Sequence, residues 1–289
     1  MGRLVAFICL SVSLSGCGIA EGVLAFYGLP LSESTPQALS EKLRPHDRWF
    51  IPEGAADDAR FPAVIAVPGC LGTQPFHITW AEFLQQNGFV VLLIESFAAR
   101  GLTTVAAMEG SCEGEHTWGF ERAGDVLVSL EHLRSHPQVD GERLHLIGWS
   151  HGGWAVMDAV AVGHVNIPPP MLTELPENAL GGVQSVAALY PYCEFGSYTR
   201  SFGWADDIQG VLFLAANDQN IDPQPCQKLV ADETLLGRPL QQQTYTADHW
   251  FDNPEGADLV PHAYNSVATE DVRERLRTLL LAGVGDTPS

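Results

Sequence analysis

Three residues in a fixed order carry the clearest chemistry in this chain: Ser150, Asp218 and His249. Ser150 stands in Gly148-Trp149-Ser150-His151-Gly152, after the apolar run Arg143-Leu144-His145-Leu146-Ile147 and before the helix-compatible segment Trp154–Val160. Strand, tight turn and helix form the setting of a G-x-S-x-G nucleophile elbow. The strained turn tolerates only small neighbours, and it pushes the serine oxygen into the open. A serine hydroxyl is a poor nucleophile at neutral pH, so it needs a base within hydrogen-bond reach. A histidine suits that work, and a carboxylate behind its ring fixes the tautomer and stabilises the imidazolium. Asp218 follows an apolar run ending in Ala215-Ala216, and His249 follows Tyr245-Thr246-Ala247-Asp248. Serine, then acid, then histidine is the order that such an elbow requires. Asp222, in the same loop as Asp218, is the alternative acid, although Asp222-Pro223 more readily shapes a turn. His262 is the alternative base and lies deeper in a loop.

A serine nucleophile acting on an acyl group creates a tetrahedral oxyanion, which needs donors aimed at it. His151 cannot turn back onto the serine beside it, so its contribution is its backbone N–H. The second donor belongs to the loop after the first buried strand, Pro68-Gly69-Cys70-Leu71-Gly72. The N–H groups of Cys70 and Leu71 are equally eligible. The competing reading makes Pro68–Gly72 a tight strand exit and nothing more. Arg100 lies in Glu95-Ser96-Phe97-Ala98-Ala99-Arg100-Gly101, in a loop leaving a strand at the same sheet end. It is placed to hold a substrate carboxylate, or else to pair with Glu95 or another local acid. His132 and His136 have a helical spacing that metals use, but no carboxylate-rich partner site accompanies them and no Cys/His zinc spacing occurs. Neither a metal nor another cofactor is expected.

These residues need a scaffold that brings several strand ends together. Phe61–Val67 and Phe89–Ile94 are short continuous apolar runs, the signature of strands buried on both faces. Arg48–Ile51 reads as an early strand, and Val183–Tyr190, Gly210–Ala216 and Gln241–Tyr245 as later ones. Helices are expected over Trp80–Gln86, Phe120–Leu133, the segment after the elbow, and 269–281. Residues 101–117 read as loop. Residues 165–180, with Pro168-Pro169-Pro170 and Pro176, read as an irregular excursion that could cap the site. Strands alternating with helices imply an α/β fold with a mostly parallel central sheet and helices on both faces.

The chain has 289 residues, 35 Asp+Glu against 15 Lys+Arg, and a formal charge of -20, which argues against nucleic acid or anionic lipid as a partner. Residues 1–17 read as a processing signal. Met1-Gly2-Arg3 is a short positive start, and Leu4–Leu14 is apolar but short for a bilayer span. Leu14-Ser15-Gly16-Cys17 resembles the lipobox of bacterial lipoproteins, which implies lipidation of Cys17 and anchoring in the cell envelope. Gly18, with no Asp at that place, implies outer-membrane sorting in a Gram-negative source, facing the periplasm. Residues 18–45 then read as a tether or edge-packing segment, and 46–289 as a single domain. Cys9 leaves with the signal and Cys17 takes lipid. Cys70, Cys112, Cys193 and Cys226 remain for an oxidising compartment. Of the three possible pairings, Cys70–Cys112 and Cys193–Cys226 is favoured, because each would tie loops at one end of a sheet.

From about residue 60 to 282 the chain resembles the dienelactone hydrolase family of α/β-hydrolases. The resemblance rests on Val67-Pro68-Gly69-Cys70, Glu95-Ser96-Phe97 with Arg100-Gly101, Ile147-Gly148-Trp149-Ser150-His151-Gly152-Gly153, and His249-Trp250-Phe251-Asp252. It implies an α/β-hydrolase fold, with Ser150 as nucleophile, Asp218 as acid and His249 as base. Two departures stand out. The enzymes that name the family carry cysteine at the elbow, so Ser150 points to a more general esterase. Many relatives have His-Gly where this chain has Pro68-Gly69. The leading expectation is a serine hydrolase acting on a small ester or lactone through an acyl-enzyme. A peptidase or amidase of the same fold is the second enzyme reading, weakened because no extra N-terminal domain restricts access. A non-catalytic binding lipoprotein is the third. The oligomeric state is not legible.

Overall fold

Alternation of side chains along buried strands decides the layers of this protein. In the computed structural model, residue 23 and residues 34–54, 56, 58–255 and 264–281 are described. The signal segment with Cys17, most of 18–33, and His262 lie outside the described residues. Seven strands form one sheet: β1 (Arg48–Phe50), β2 (Phe61–Val67), β3 (Val90–Leu93), β4 (Val139–Trp149), β5 (Val183–Leu189), β6 (Gln209–Ala215) and β7 (Leu240–Tyr245). Their order is β1-β3-β2-β4-β5-β6-β7. Every neighbouring pair is parallel except β1 with β3. In-register neighbours such as Ile65 with Leu92 and with Leu146 line the centre.

Ala63, Ile65 and Val67 face one core with Val90, Leu92, Leu144, Leu146, Val186, Ala188, Leu212 and Leu214. Their alternates Val64, Ala66, Val91, Leu93, Ile147, Ala187, Leu189 and Phe213 face a second. Period-two burial on both faces is what a parallel sheet sandwiched by helices imposes. The first core is closed by helices Gly119–Arg134 and His151–His164, the second by Pro75–Gln86 and Ser266–Leu281.

In chain order the helices are α1 (Pro36–Leu43), α2 (Pro75–Gln86), α3 (Ser96–Ala99), α4 (Val105–Cys112), α5 (Gly119–Arg134), α6 (His151–His164), α7 (Tyr198–Phe202), α8 (Gln224–Leu235) and α9 (Ser266–Leu281). Three sequence expectations need correction. The tether reading fails for residues 36–43. Thr35 caps α1, and Leu39 and Leu43 are buried with Val128 of α5 and Leu172. Residues 101–117 are not all loop, because Val105–Cys112 is helical. The excursion at 165–180 caps no site. Met171 and Leu172 pack on the α1–α5 cluster, and Asn166, Pro176 and Asn178 line a depression with Gly182 and Val183 at the start of β5. Among the described residues, no helix is long and apolar enough to cross a membrane.

Asp158 and His145 are among the polar side chains buried in the core. Asp158 on α6 accepts from Trp154 Nε1, Ser197 Oγ, Thr199 N and Thr199 Oγ1, and so pins α7 to α6. His145 on β4 faces its cross-strand neighbour Ser185, with Nδ1 2.8 Å from the Ser185 hydroxyl. Burial lowers the His145 pKa from 6.5 to about 4. Below pH 6.5 the unfolded chain takes up a proton that the folded chain refuses, so this group withdraws stability as the pH falls from 6.5 towards 4. Urea unfolding at pH 7 and pH 5 is expected to show wild type losing about 2 kcal/mol more than His145→Gln over that interval. Equal losses would mean that the folded protein protonates His145.

Candidate active site

The carboxyl ends of parallel strands share one edge of the sheet, and loops leaving that edge meet. Ser150 sits between β4 and α6 with φ 53° and ψ -118°, a conformation an L-residue adopts only when its surroundings force it. The force is steric. A β-carbon at Gly152 would stand 2.0 Å from the Val67 carbonyl oxygen, and one at Gly148 would stand 2.3 Å from the Gly152 carbonyl oxygen. Both glycines of the motif are therefore close-approach positions. Ser150 N donates to Leu189 O at 2.8 Å, which ties the turn to β5.

His249 Nε2 lies 3.0 Å from Ser150 Oγ, and His249 Nδ1 lies 2.7 Å from Asp218 Oδ2. The side chains of His249 and Asp218 are 4% and 3% exposed, so water competes little for either contact. A carboxylate only accepts, which places a proton on Nδ1 and leaves Nε2 free to accept from the serine. Asp218 is oriented by its own turn, because its Oδ1 accepts from the N–H groups of Asn220 and Ile221, each at 2.9 Å. Asp248 ties the acid loop to the histidine loop by accepting from Gln219 N, Gln219 Nε2 and His249 N. The Asp222 carboxylate instead accepts from Gln224 N at the start of α8 and faces away from the ring.

Beneath the imidazole, the Tyr190 ring packs 4.5 Å from it, centroid to centroid. Tyr190 OH donates to Asp252 Oδ1 at 2.7 Å, and Trp149 Nε1 donates to Asp252 Oδ2 at 2.8 Å. Burial pushes the Asp252 carboxyl up from its usual range, and the Tyr190 phenol well above its own. Asp252 thus links the elbow strand, β5 and the histidine loop.

The loop of Pro68–Gly72 faces Ser150 from β2. Among the described residues, neither Cys70 nor Leu71 donates its N–H to a backbone carbonyl. Arg122 on α5, fully buried, holds this wall. Its Nη2 donates to Pro68 O at 2.8 Å, and its Nη1 lies 3.1 Å from His151 Nδ1. His151 Nε2 lies 3.0 Å from Thr117 O, an obligate acceptor, so Nε2 carries the proton and Nδ1 accepts from Arg122. Burial lowers the His151 pKa to about 3, and the ring stays neutral. The ring is therefore committed to α5 and the 117 loop.

Two cavities flank Ser150. One, of about 320 Å³, is walled by Trp118, Trp154, Tyr192, Phe195, Ile221 and the Cys70–Cys112 disulfide. The other, of about 50 Å³, lies between Leu71, His77, Tyr190, Trp250 and Asn253. The Cys70–Cys112 bond joins the loop facing Ser150 to α4, and Cys193–Cys226 joins the exit of β5 to α8.

Arg100 does not face either cavity. Its guanidinium makes two hydrogen bonds to Asp125, at 2.7 and 3.0 Å, and one to Ser96 O, while Glu95 pairs with Arg48. The reading of Arg100 as a carboxylate-binding residue is corrected accordingly. His132 and His136 pack on Trp49, with ring centroids 5.2 and 4.7 Å away. Arg122 and Asp252 were not recognised as site residues from the sequence. Asp252 closes the His249-Trp250-Phe251-Asp252 stretch, whereas nothing local in the sequence marks Arg122.

No family model matches the chain. Among solved structures it is similar to a dienelactone hydrolase-like promiscuous phosphotriesterase from metagenomic libraries, at 18% identity and TM-score 0.63, over 82% of this chain and 91% of that one. It is also similar to a putative dienelactone hydrolase from Klebsiella pneumoniae, at 17% identity and TM-score 0.57, over 80% and 90%. Thermogutta terrifontis esterase 2 phosphorylated by paraoxon matches at 14% identity and TM-score 0.61, over 84% and 90%. The chain has the α/β-hydrolase fold.

In that fold, the elbow depends on the contact between Gly152 and Val67. Gly152→Ala is expected to destabilise the protein by about 3 kcal/mol or more, because backbone on both sides must move. Thermal unfolding beside wild type measures it, and an unchanged melting temperature would mean that β2 and α6 part easily at the elbow.

Proposed function

We propose that this α/β-hydrolase-fold protein is a serine hydrolase that cleaves a carboxylic ester or lactone through an acyl-enzyme, held in the bacterial cell envelope by lipid on Cys17. The observation that carries the reading is the continuous chain from Ser150 Oγ through His249 to Asp218, at 3.0 and 2.7 Å, opening onto a cleft. His249 Nε2 takes the Ser150 proton as Oγ attacks the carbonyl carbon. Negative charge then collects on the former carbonyl oxygen, opposite the N–H of His151 and that of Cys70 or Leu71. Collapse expels the alcohol, which leaves with the proton from His249. Water, deprotonated by the same nitrogen, attacks the acyl-serine and releases the acid. Asp218 keeps its negative charge throughout and stabilises the imidazolium.

Two disulfides fit an oxidising compartment, which agrees with export. The lipid anchor rests on the Leu14-Ser15-Gly16-Cys17 pattern. Acyl-chain labelling in cells is expected to mark wild type and to vanish in Cys17→Ala, and equal labelling would remove the anchor from the reading.

The catalytic reading is tested with a fluorophosphonate probe, since an organophosphorus centre is attacked by the same activated oxygen. The detergent-solubilised protein is expected to label at Ser150, and Ser150→Ala not at all. Asp218→Asn is expected to lower the rate of ester cleavage by about 10⁴-fold, while Asp222→Asn changes it by no more than a few-fold. A folded wild type that resists the probe would favour a binding role for the cleft.

A further inference from the structure

We infer that the cleft beside Ser150 selects esters whose larger part is an uncharged aromatic or alicyclic group and whose smaller part is one or two carbons long, and that it rejects esters bearing a carboxylate. The inference rests on the hydrolase reading above and assigns the substrate class of that site.

The larger cavity is an aromatic enclosure. Trp118 stands edge-on to Trp154 and to Phe195, each 6.1 Å away between ring centroids, and Tyr192 packs 4.8 Å from Trp154. Phe195 is 45% exposed at the mouth, a large apolar surface left open to solvent beside the site. Aromatic walls of this kind bind flat or cyclic apolar groups by burying their area and by edge-to-face contact. About 320 Å³ is near the lower end of the volumes that hold a small ligand, enough for a single ring with a short substituent.

The formal charge on the wall of this enclosure is acidic. Glu113 lies on its wall beside the Cys70–Cys112 bond, and among the described residues no lysine or arginine does. Two arginines behind the cleft, Arg100 and Arg122, are both spent. Arg100 is clamped by Asp125, and Arg122 is buried behind Pro68 and the neutral His151 ring. Tyr192, on the same wall, has its pKa raised by burial and by Glu194 against the pull of Arg200, and stays neutral. A substrate carboxylate entering here would lose water, find no cation among the described wall residues to pair with, and meet Glu113 and the field of a chain with formal charge -20. A neutral ring meets none of these costs.

The smaller cavity sets the second half of the preference. At about 50 Å³ it is a few times the space of one water, so it holds a methyl or ethyl group and excludes a ring. It shares Ser150 and Cys70 with the aromatic cleft and is otherwise walled by different residues, so the two cavities meet at the serine. An ester carbonyl seated on the serine therefore sends its bulky arm into one cavity and its short arm into the other.

Two matched pairs of esters test this: methyl 4-methylbenzoate with monomethyl terephthalate, and 4-methylphenyl acetate with 4-acetoxybenzoate. Each pair differs in a methyl group against a carboxylate, and the two pairs reverse which arm is the acid. Wild type is expected to favour the uncharged member by at least about tenfold in kcat/KM in whichever pair it cleaves, since one poorly solvated, unpaired charge costs that much or more. Glu113→Lys is expected to narrow the gap by about 3–5-fold, an exposed charge acting through screened water, and added salt to shrink that effect. Equal or faster cleavage of the carboxylate-bearing members overturns the assignment. So does probe labelling of Ser150 with none of the four esters cleaved. Absence of both labelling and cleavage in a folded protein overturns the hydrolase reading itself.

Discussion

The carbonyl of Val67 and the backbone of Gly152 meet so closely that no side chain fits between them. Most of the site follows from that contact. It brings the first turn of α6 against the end of β2, and the chain must reverse between β4 and α6 within one residue. That residue is Ser150, held at φ 53°. Conformational strain at one position is kept because the central sheet, buried on both faces, leaves the turn no other path. The same parallel sheet delivers Asp218 from β6 and His249 from β7 to the same edge. Cross-links between their loops, Asn217 N to Ala247 O and Gln219 N to Asp248, then fix the imidazole between serine and carboxylate. Sterics set the backbone at Ser150, and hydrogen bonds set the ring of His249.

Much of this was legible in the residues. Continuous apolar runs such as Phe61–Val67 betray strands buried on two faces, and the glycines at 148 and 152 mark a turn with no room for a β-carbon. The residues favour Asp218 over Asp222 because Asp-Pro has a turn-forming use of its own, but they do not decide between the two; in the structure Asp218 meets the His249 ring and Asp222 accepts from Gln224 N at the start of α8. The favoured disulfide pairing, Cys70–Cys112 with Cys193–Cys226, is the one in the structure, although the residues alone leave the pairing undetermined. Other features depend on contacts distant in sequence. Residues 101–117 carry no strong helical pattern, since α4 has little polar–apolar contrast around its axis and is tied down through Cys112. The prolines at 168–170 suggested an excursion near the site, yet nothing local says which end of the sheet such a loop reaches. Arg100 was readable as a substrate contact because its partner Asp125 lies on α5, in a helix whose burial alone does not announce an ion pair.

Arg122 is the strongest case of a role hidden from the sequence. It is a fully buried cation whose hydrogen bonds go to Pro68 O and the His151 ring rather than to a carboxylate. Its guanidinium stacks over Phe97 at 4.6 Å, and burial pulls its pKa down to about 9, so it remains charged at neutral pH. Burying a charge in this way is a poor route to stability. The groups it touches say what it accomplishes. One fork of the guanidinium holds the loop that carries Cys70 and Leu71, and the other holds the residue after Ser150. The two backbone segments that flank Ser150 are thereby fixed to one rigid, planar group. Asp125 raises the arginine's affinity for its proton while pairing directly with Arg100, so two arginines share one carboxylate behind the site. A hydrophobic residue of similar volume would fill the space and leave the separation between the loop and the elbow to chance. The arginine sets that separation with directional bonds. The deficit in stability is placed where a few tenths of an ångström in the spacing of two N–H groups determine whether a developing negative charge is met.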